Sequence, residues 1–334
     1  MNNNSFATHI HNFLQDYLIL QKGFSRHTMM SYRDTIKLLL TFSAAHKKKS
    51  ITDLLLTDLT QKVVLDFLDH LEKQRSNSTQ TRNIRLACVH SFFRYIANQD
   101  PLLFGHCQSI LAIPFKRAPI PIVEYLEQEE MKAILQVVDR NSLDGYRDYT
   151  LLFFMHNTGA RVEEIITLRT RALQLDRPFQ VRILGKGNKT RLCPLWPETV
   201  NLLRSLLKQR AVDPITNVPV FVNHRGEILT RYGVRYLLNK YVQIATKNCP
   251  SLKEKHIHPH SIRHTCAMHL LESGVDINTI RSWLGHTNLE TTNRYAEINL
   301  EMKRKVLDNY LPISKATKRP WKQNKNLIQW LESL

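Results

Sequence analysis

Six side chains could carry out one reaction together. Arg161 closes the run Thr158-Gly159-Ala160-Arg161, and Lys186 stands between Gly185 and Gly187. His260 and Arg263 are three residues apart, His286 follows Leu284-Gly285, and Tyr295 comes nine residues after His286. Two arginines, one lysine, two histidines and one tyrosine suit the attack of a tyrosine hydroxyl on a phosphodiester.

Each residue type has a physical reason to be there. The transition state of phosphoryl transfer spreads negative charge over equatorial oxygens, which fixed donors and cations must meet. Arginine donates two parallel hydrogen bonds to phosphate, so Arg161 and Arg263 form a candidate clamp. A tyrosine hydroxyl titrates near a pKa of about 10. Nearby cations favour its anion, and a neutral histidine can take its proton, a role assigned to His260. His286 can donate a further hydrogen bond or move a proton. The leaving deoxyribose oxygen needs an acid, and Lys186 on a glycine-flanked turn can reach inward to supply it.

Taken singly, each motif has an ordinary reading: a helix start, a basic hairpin, a packed aromatic. Their order and spacing set the combination apart. Two rival readings exist for parts of it. His256, His258, His260 and His264, with Cys266 nearby, could hold a metal, but Pro259 interrupts the run and no paired cysteine or His-Glu-x-x-His pattern is present, so no metal is expected. Residues 264–273 and 276–284 could form a helix-turn-helix that reads a groove without chemistry, yet that module leaves the upstream groups unexplained.

The chain around these residues is strongly basic. Its 334 residues carry a formal net charge of +18, which favours a polyanionic partner, with DNA or RNA ahead of an anionic membrane surface. No apolar run approaches the roughly 18 residues that span a bilayer, and Met1-Asn2-Asn3-Asn4-Ser5 carries no signal-peptide pattern. A cytoplasmic, nucleoid-associated protein is expected. Five scattered cysteines, an odd number in a long chain, argue against a disulfide framework.

The elements that must position the six groups are mostly helical. Apolar stripes recur through Phe6, Ile10, Phe13, Leu14, Tyr17 and Leu18; Tyr32, Ile36, Leu39 and Leu40; Val64, Leu65, Leu68 and Leu71; and Ile84, Ala87, Cys88, Ser91, Phe92 and Tyr95. They predict an N-terminal bundle of four to five helices over residues 1–111. Three prolines in residues 112–122 mark an extended linker, whose Lys116 and Arg117 could touch phosphates. A second domain is expected over 123–312. It has helices at Glu127–Val138 and Tyr146–Asn157, then strands at Phe179–Leu184 and Arg191–Leu195 joined as a hairpin. Residues 313–334 form a basic tail ending in a helix with Leu327, Trp330, Leu331 and Leu334 on one face.

The order and local context of these motifs resemble the tyrosine recombinases, the family of phage integrases and Xer recombinases. The resemblance covers roughly residues 5 to 310. It implies a SAM-like core-binding bundle followed by an α-rich catalytic domain with a small antiparallel sheet, the fold of DNA breaking-rejoining enzymes. It also implies catalytic roles for Arg161, Lys186, His260, Arg263, His286 and the nucleophile Tyr295, with Glu164 as a supporting acid. Further implications are a 3′-phosphotyrosyl intermediate without cofactor, four protomers exchanging strands through a Holliday junction, and a clamp of both domains on double-stranded DNA.

By the same resemblance the segments Arg26–Arg33 and Thr79–Arg94 meet the major groove. Arg26, Arg33, Arg82, Asn83 and Arg85 are then candidate DNA contacts, and Lys189 and Arg191 are further ones on the hairpin. Two departures stand out: no arm-binding domain precedes the bundle, and the chain runs 39 residues past Tyr295. The stretch 298–307 resembles recombinases of mobile elements, and the terminal helix is expected to dock on a neighbouring protomer or on its own domain. A type IB topoisomerase-like enzyme and a non-catalytic DNA-binding regulator remain the alternatives.

Overall fold

In the computed structural model, residues 3–119, 124–212 and 216–285 are described. The chain divides into two compact units, 1–121 and 122–334. His286, Tyr295 and the tail lie outside the described residues, as does the side chain of Lys186. No helix among the described residues is long and apolar enough to cross a membrane.

The first unit is helical. Helix α1 (Asn3–Asn12) continues as a π-helical stretch, Phe13–Gln21, and is followed by α2 (Arg26–Lys47), α3 (Gln61–Lys73), α4 (Thr79–Gln99) and α5 (Phe104–Leu111). Ser25, Thr60 and Ser78 cap α2, α3 and α4 by accepting from the Thr28, Val63 and Thr81 amides. The core gathers Phe13, Phe67, Phe92 and Phe93, each 2% exposed or less, and the Phe13 and Phe92 rings meet edge-on with centroids 5.2 Å apart.

Of the stripe read along α4, Cys88, Phe92 and Tyr95 are buried. Ile84 and Ala87 face outward, and Leu86, Val89, Phe93 and Ile96 join the buried face. Arg82, one turn before Leu86, is also buried. Leu65 is exposed at the flank of α3.

The second unit wraps helices around a three-stranded antiparallel sheet. Helices α6 (Gln128–Gln136), α7 (Leu143–Thr158) and α8 (Val162–Ile166) precede strands β1 (Leu173–Gln174), β2 (Gln180–Leu184) and β3 (Thr190–Pro194). The strand order is β1-β2-β3, with Val181 opposite Cys193 and Leu184 opposite Thr190. Val181, Ile183 and Cys193 point into the core alongside Leu151, Leu152 and Phe154 of α7. Helices α9 (Pro197–Gln209), α10 (Arg231–Ala245), α11 (Pro259–Glu272) and α12 (Ile277–Leu284) complete the unit. Cys266, Met268 and Leu271 of α11 meet Ile280 and Leu284 of α12 in a smaller apolar cluster. All five cysteines are unbridged.

Candidate functional site

The site is built around the end of α7. Thr158 closes the helix with its hydroxyl on the Phe154 carbonyl at 2.8 Å and accepts from the Ala160 amide at 3.3 Å. Gly159 then reverses the chain at φ +58°. A Cβ there would sit 2.4 Å from Leu284 Cδ2 and 3.2 Å from Cys266 Sγ, so α7, α11 and α12 converge on a residue that must be glycine. Gly159→Ala is expected to lower unfolding free energy by about 2–4 kcal/mol, from the left-handed backbone plus the steric overlap. Urea unfolding measures this, and a loss below about 1 kcal/mol would show that α12 yields freely.

Arg161 follows at the start of α8, with its side chain about one-third exposed. Glu164, three residues on and buried, accepts from the Arg161 amide at 2.8 Å and from Arg161 Nη1 at 2.8 Å. Arg191 Nη2 donates to the same carboxylate at 2.7 Å. Burial alone would raise the Glu164 pKa, but the hydrogen bond and charge of Arg191, then those from Arg161, hold it below the usual carboxylate range. The acid is therefore ionised and holds the Arg161 guanidinium in one orientation.

The hairpin tip adjoins this carboxylate. Gly185 closes the turn with its amide on the Lys189 carbonyl at 2.8 Å, and Gly187 takes φ +74°. A Cβ on Gly185 would lie 3.4 Å from Glu164 Oε1, so the turn that begins with Lys186 packs directly against the Arg161–Glu164 pair.

Helix α11 supplies His260 and Arg263. Its start is fixed by Pro259 at the first turn and by His258, whose Nδ1 accepts from the Ser261 amide at 3.2 Å. His258 is thus a cap, and among the described residues no group of three or more His, Cys, Asp or Glu could hold a metal. His260 sits at the exposed rim of the same turn. Partial desolvation first, then the charges of His258, Arg263 and Arg161, pull its pKa below the usual imidazole value. Arg263 is buried: Nη1 donates to the Gly159 carbonyl at 2.7 Å and Nη2 to the Leu284 carbonyl at 2.6 Å. One guanidinium therefore ties the Arg161 turn to the end of α12, where Gly285 turns at φ +64° just before His286.

Arg161, Glu164, the Lys186 hairpin, His260 and Arg263 thus share one locality, although up to 104 residues separate hydrogen-bonded partners. The expected DNA contacts fare differently. Arg26, Lys189 and Arg117 are exposed, as is Arg33, which pairs with Asp34 at 2.8 Å. Lys116 is also exposed and is paired with Glu72.

Four of the expected DNA contacts are engaged by the protein itself. Arg82 is buried, with Nη1 donating to Asn83 Oδ1 at 3.0 Å and to the Pro114 carbonyl at 3.3 Å. Asn83 uses both ends of its amide on Lys116, donating to the carbonyl at 2.8 Å and accepting from the amide at 3.1 Å. Arg191 has a side chain only 9% exposed. Arg85 is partly buried and donates to Thr35 Oγ1 at 2.7 Å. These donors serve backbone, hydroxyl and carboxylate oxygens of the chain leaving the bundle, of α2 and of the Arg161 turn.

Sequence reasoning passed over the outer face of α10. Tyr232 is 81% exposed and Tyr236 69%, and they stand among exposed Arg235, Asn239 and Lys240. Beside them lies a cleft of about 350 Å³ lined by Arg235, Asn239, Lys253, Lys255, His256 and His258. The interleaving of basic and aromatic residues in 231–236 was the available signal.

A helical unit with a small sheet, gathering arginines, a carboxylate and a histidine at one turn, defines a class of phosphoryl-transfer enzyme. Comparison with known proteins makes that specific. Residues 124–302 match the phage integrase family, and residues 10–100 match the phage integrase N-terminal SAM-like domain. A Sinorhizobium fredii protein whose name classes it as an integrase/recombinase, y4rC, is 38% identical over 332 residues, covering 99% of this chain and 98% of that one. The tyrosine recombinase XerC of Staphylococcus carnosus is 32% identical over 306 residues, covering 90% of this chain and 96% of the relative.

The Tn1549 transposon integrase, solved in complex with transposon right end DNA, shares the fold. Its TM-score is 0.68 at 16% identity, over 89% of this chain and 98% of that one. The XerH site-specific recombinase bound to difH substrate superposes with a TM-score of 0.65 at 21% identity, over 84% and 78%. The chain belongs to the phage integrase family of tyrosine recombinases and is a site-specific DNA recombinase.

Proposed function

We propose that this recombinase serves a mobile genetic element and cleaves DNA through Tyr295, leaving a 3′-phosphotyrosyl link and a free 5′ hydroxyl. The observation that carries this reading is the convergence of Arg161, Glu164, the Lys186 hairpin, His260 and Arg263 on the turn at Gly159. Arg161 and Arg263 neutralise the phosphate oxygens, and Glu164 keeps Arg161 in place. His260 takes the phenolic proton as Tyr295 attacks, Lys186 returns a proton to the leaving oxygen, and His286 adds a donor. The new bond conserves the energy of the one broken, so the free hydroxyl of a partner strand can reverse the step. Four protomers exchange strands in pairs through a Holliday junction. The exposed arginine and tyrosine face of α10 and the neighbouring basic cleft support duplex binding alongside the bundle.

The test is trapping on a suicide substrate: nicked duplexes tiled across the DNA that flanks this chain's own gene. Wild-type protein should form an adduct stable to denaturant and linked to a 3′ phosphate. Failure to trap any adduct on a duplex the protein binds specifically would favour a regulator, and relaxation of supercoils without exchange would favour a topoisomerase.

The lowered pKa of His260 gives this chemistry a pH signature. A histidine base works when neutral, so a pKa below the ordinary value of about 6.5 keeps it working as pH falls past that point. Single-turnover cleavage from about pH 5 to about pH 8 should be flat near neutrality and decline only below about 6.5. An acid limb centred above about 7 would remove His260 from the role of base.

A further inference from the structure

Arg191 was expected on the DNA, yet its donors face the protein. Nε donates to the Trp283 carbonyl at 2.9 Å and Nη2 to Glu164 Oε2 at 2.7 Å. The Glu164 oxygens also take the amide and guanidinium of Arg161. The two glycines that bracket the site lie against the same side chain. A Cβ on Gly285 would meet Arg191 Cδ at 3.0 Å and Nη1 at 3.3 Å, and a Cβ on Gly185 would meet Nη1 at 3.6 Å. Trp283 is in turn anchored by its indole N–H on the Asn157 carbonyl at 3.2 Å, at the end of α7.

We propose that Arg191 is a positioning residue for DNA cleavage: one buried guanidinium that fixes the Arg161 turn, the lysine hairpin and the end of α12 relative to one another. The inference rests on the cleavage reading above. These three segments are distant in sequence, and each adjoins a candidate catalytic group: Glu164 holds Arg161, Gly185 precedes Lys186, and Gly285 precedes His286. Only a planar fork with separate donors can serve a carboxylate and a helix-terminal carbonyl in different directions at once. Lysine at this position keeps the charge but has a single ammonium, and it loses one of the two partners. The carbonyl of Trp283 lies in the last turn of α12, where a cation is also favoured by the helix dipole. With Nε on the Trp283 carbonyl and Nη2 on Glu164, Arg191 acts through the groups it holds.

The test compares wild type, Arg191→Lys and Arg191→Met as full-length chains, with thermal unfolding to confirm that each folds. In hydrogen exchange without DNA, Arg191→Lys should speed exchange about tenfold or more in three places together: 161–166, 184–191 and 277–285. On the nicked duplexes described above, its cleavage rate should fall about 10–100-fold while its Kd stays within about twofold.

A phosphate-contact role gives the reverse pattern. Lysine would then retain activity, and methionine would weaken binding and reduce the salt slope by about one; that pattern overturns the proposal. Unchanged exchange in the α12 and Arg161 segments overturns it as well. If wild type traps no adduct while the three segments loosen together in Arg191→Lys, the cleavage reading has failed and the joint stands.

Discussion

A Tyr295→Phe chain will bind its target duplex within about twofold of wild type and form adduct at least about 10⁴-fold more slowly. The substitution deletes one oxygen. The aromatic ring and the net charge at neutral pH are kept, so affinity has no reason to move. The chemistry has every reason to stop, because a carbon-bound hydrogen cannot attack phosphorus. The measurement is a gel-shift titration beside denaturing-gel detection of protein–DNA adduct on the same nicked duplex. Mixing Tyr295→Phe with Arg161→Ala protomers adds a further reading: restored cleavage would mean that the tyrosine acts in a neighbour's site. Equal adduct from wild type and Tyr295→Phe would place the nucleophile on another hydroxyl and undo the mechanism.

How far the sequence foretold this site depends on how local each interaction is. Arg161 and Glu164 are three residues apart, and Glu164 entered as a supporting acid through the resemblance; the pair meets at the start of α8. The hairpin was legible because Gly185 and Gly187 interrupt two apolar-alternating runs. Strand β1, only two residues long, carries no periodicity to find. The partners of Arg263 were beyond reach, since its contacts span 104 and 21 residues and go to backbone oxygens that any sequence possesses.

Where a polar side chain points is what residue type leaves open. Arg82, Asn83 and Arg191 were assigned to DNA because arginine and asparagine can read or clamp it, but residue type does not say whether a donor faces water or a neighbouring carbonyl. In α4 the apolar pattern points Cys88, Phe92 and Tyr95 inward as expected but also takes in Ile84 and Ala87, which are exposed. Arg82 and Arg191 are long cationic side chains that join segments far apart in the chain. Such a side chain looks the same in sequence as one held out to a phosphate.

Arg263→Ala separates these two uses of a cation within one residue. Among the described residues the guanidinium donates buried, charge-assisted hydrogen bonds to Gly159 at 2.7 Å and Leu284 at 2.6 Å. Alanine leaves both carbonyls without those donors and opens a cavity where α7, α11 and α12 meet. The expected loss of stability is about 3–5 kcal/mol, read by urea unfolding. On the proposed mechanism cleavage should fall at least about 10³-fold, because a cation assigned to the phosphate and the geometry around it are lost together.

Arg263→Lys should divide the effects. Lysine can reach one carbonyl and keeps the positive charge, so about half of the stability should return while cleavage stays at least about 10²-fold below wild type. If lysine restores cleavage as fully as stability, a point charge suffices, and the two-pronged hold on the ends of α7 and α12 is not what the reaction needs. If stability returns and cleavage does not, the orientation of this guanidinium is what the α11 scaffold exists to set.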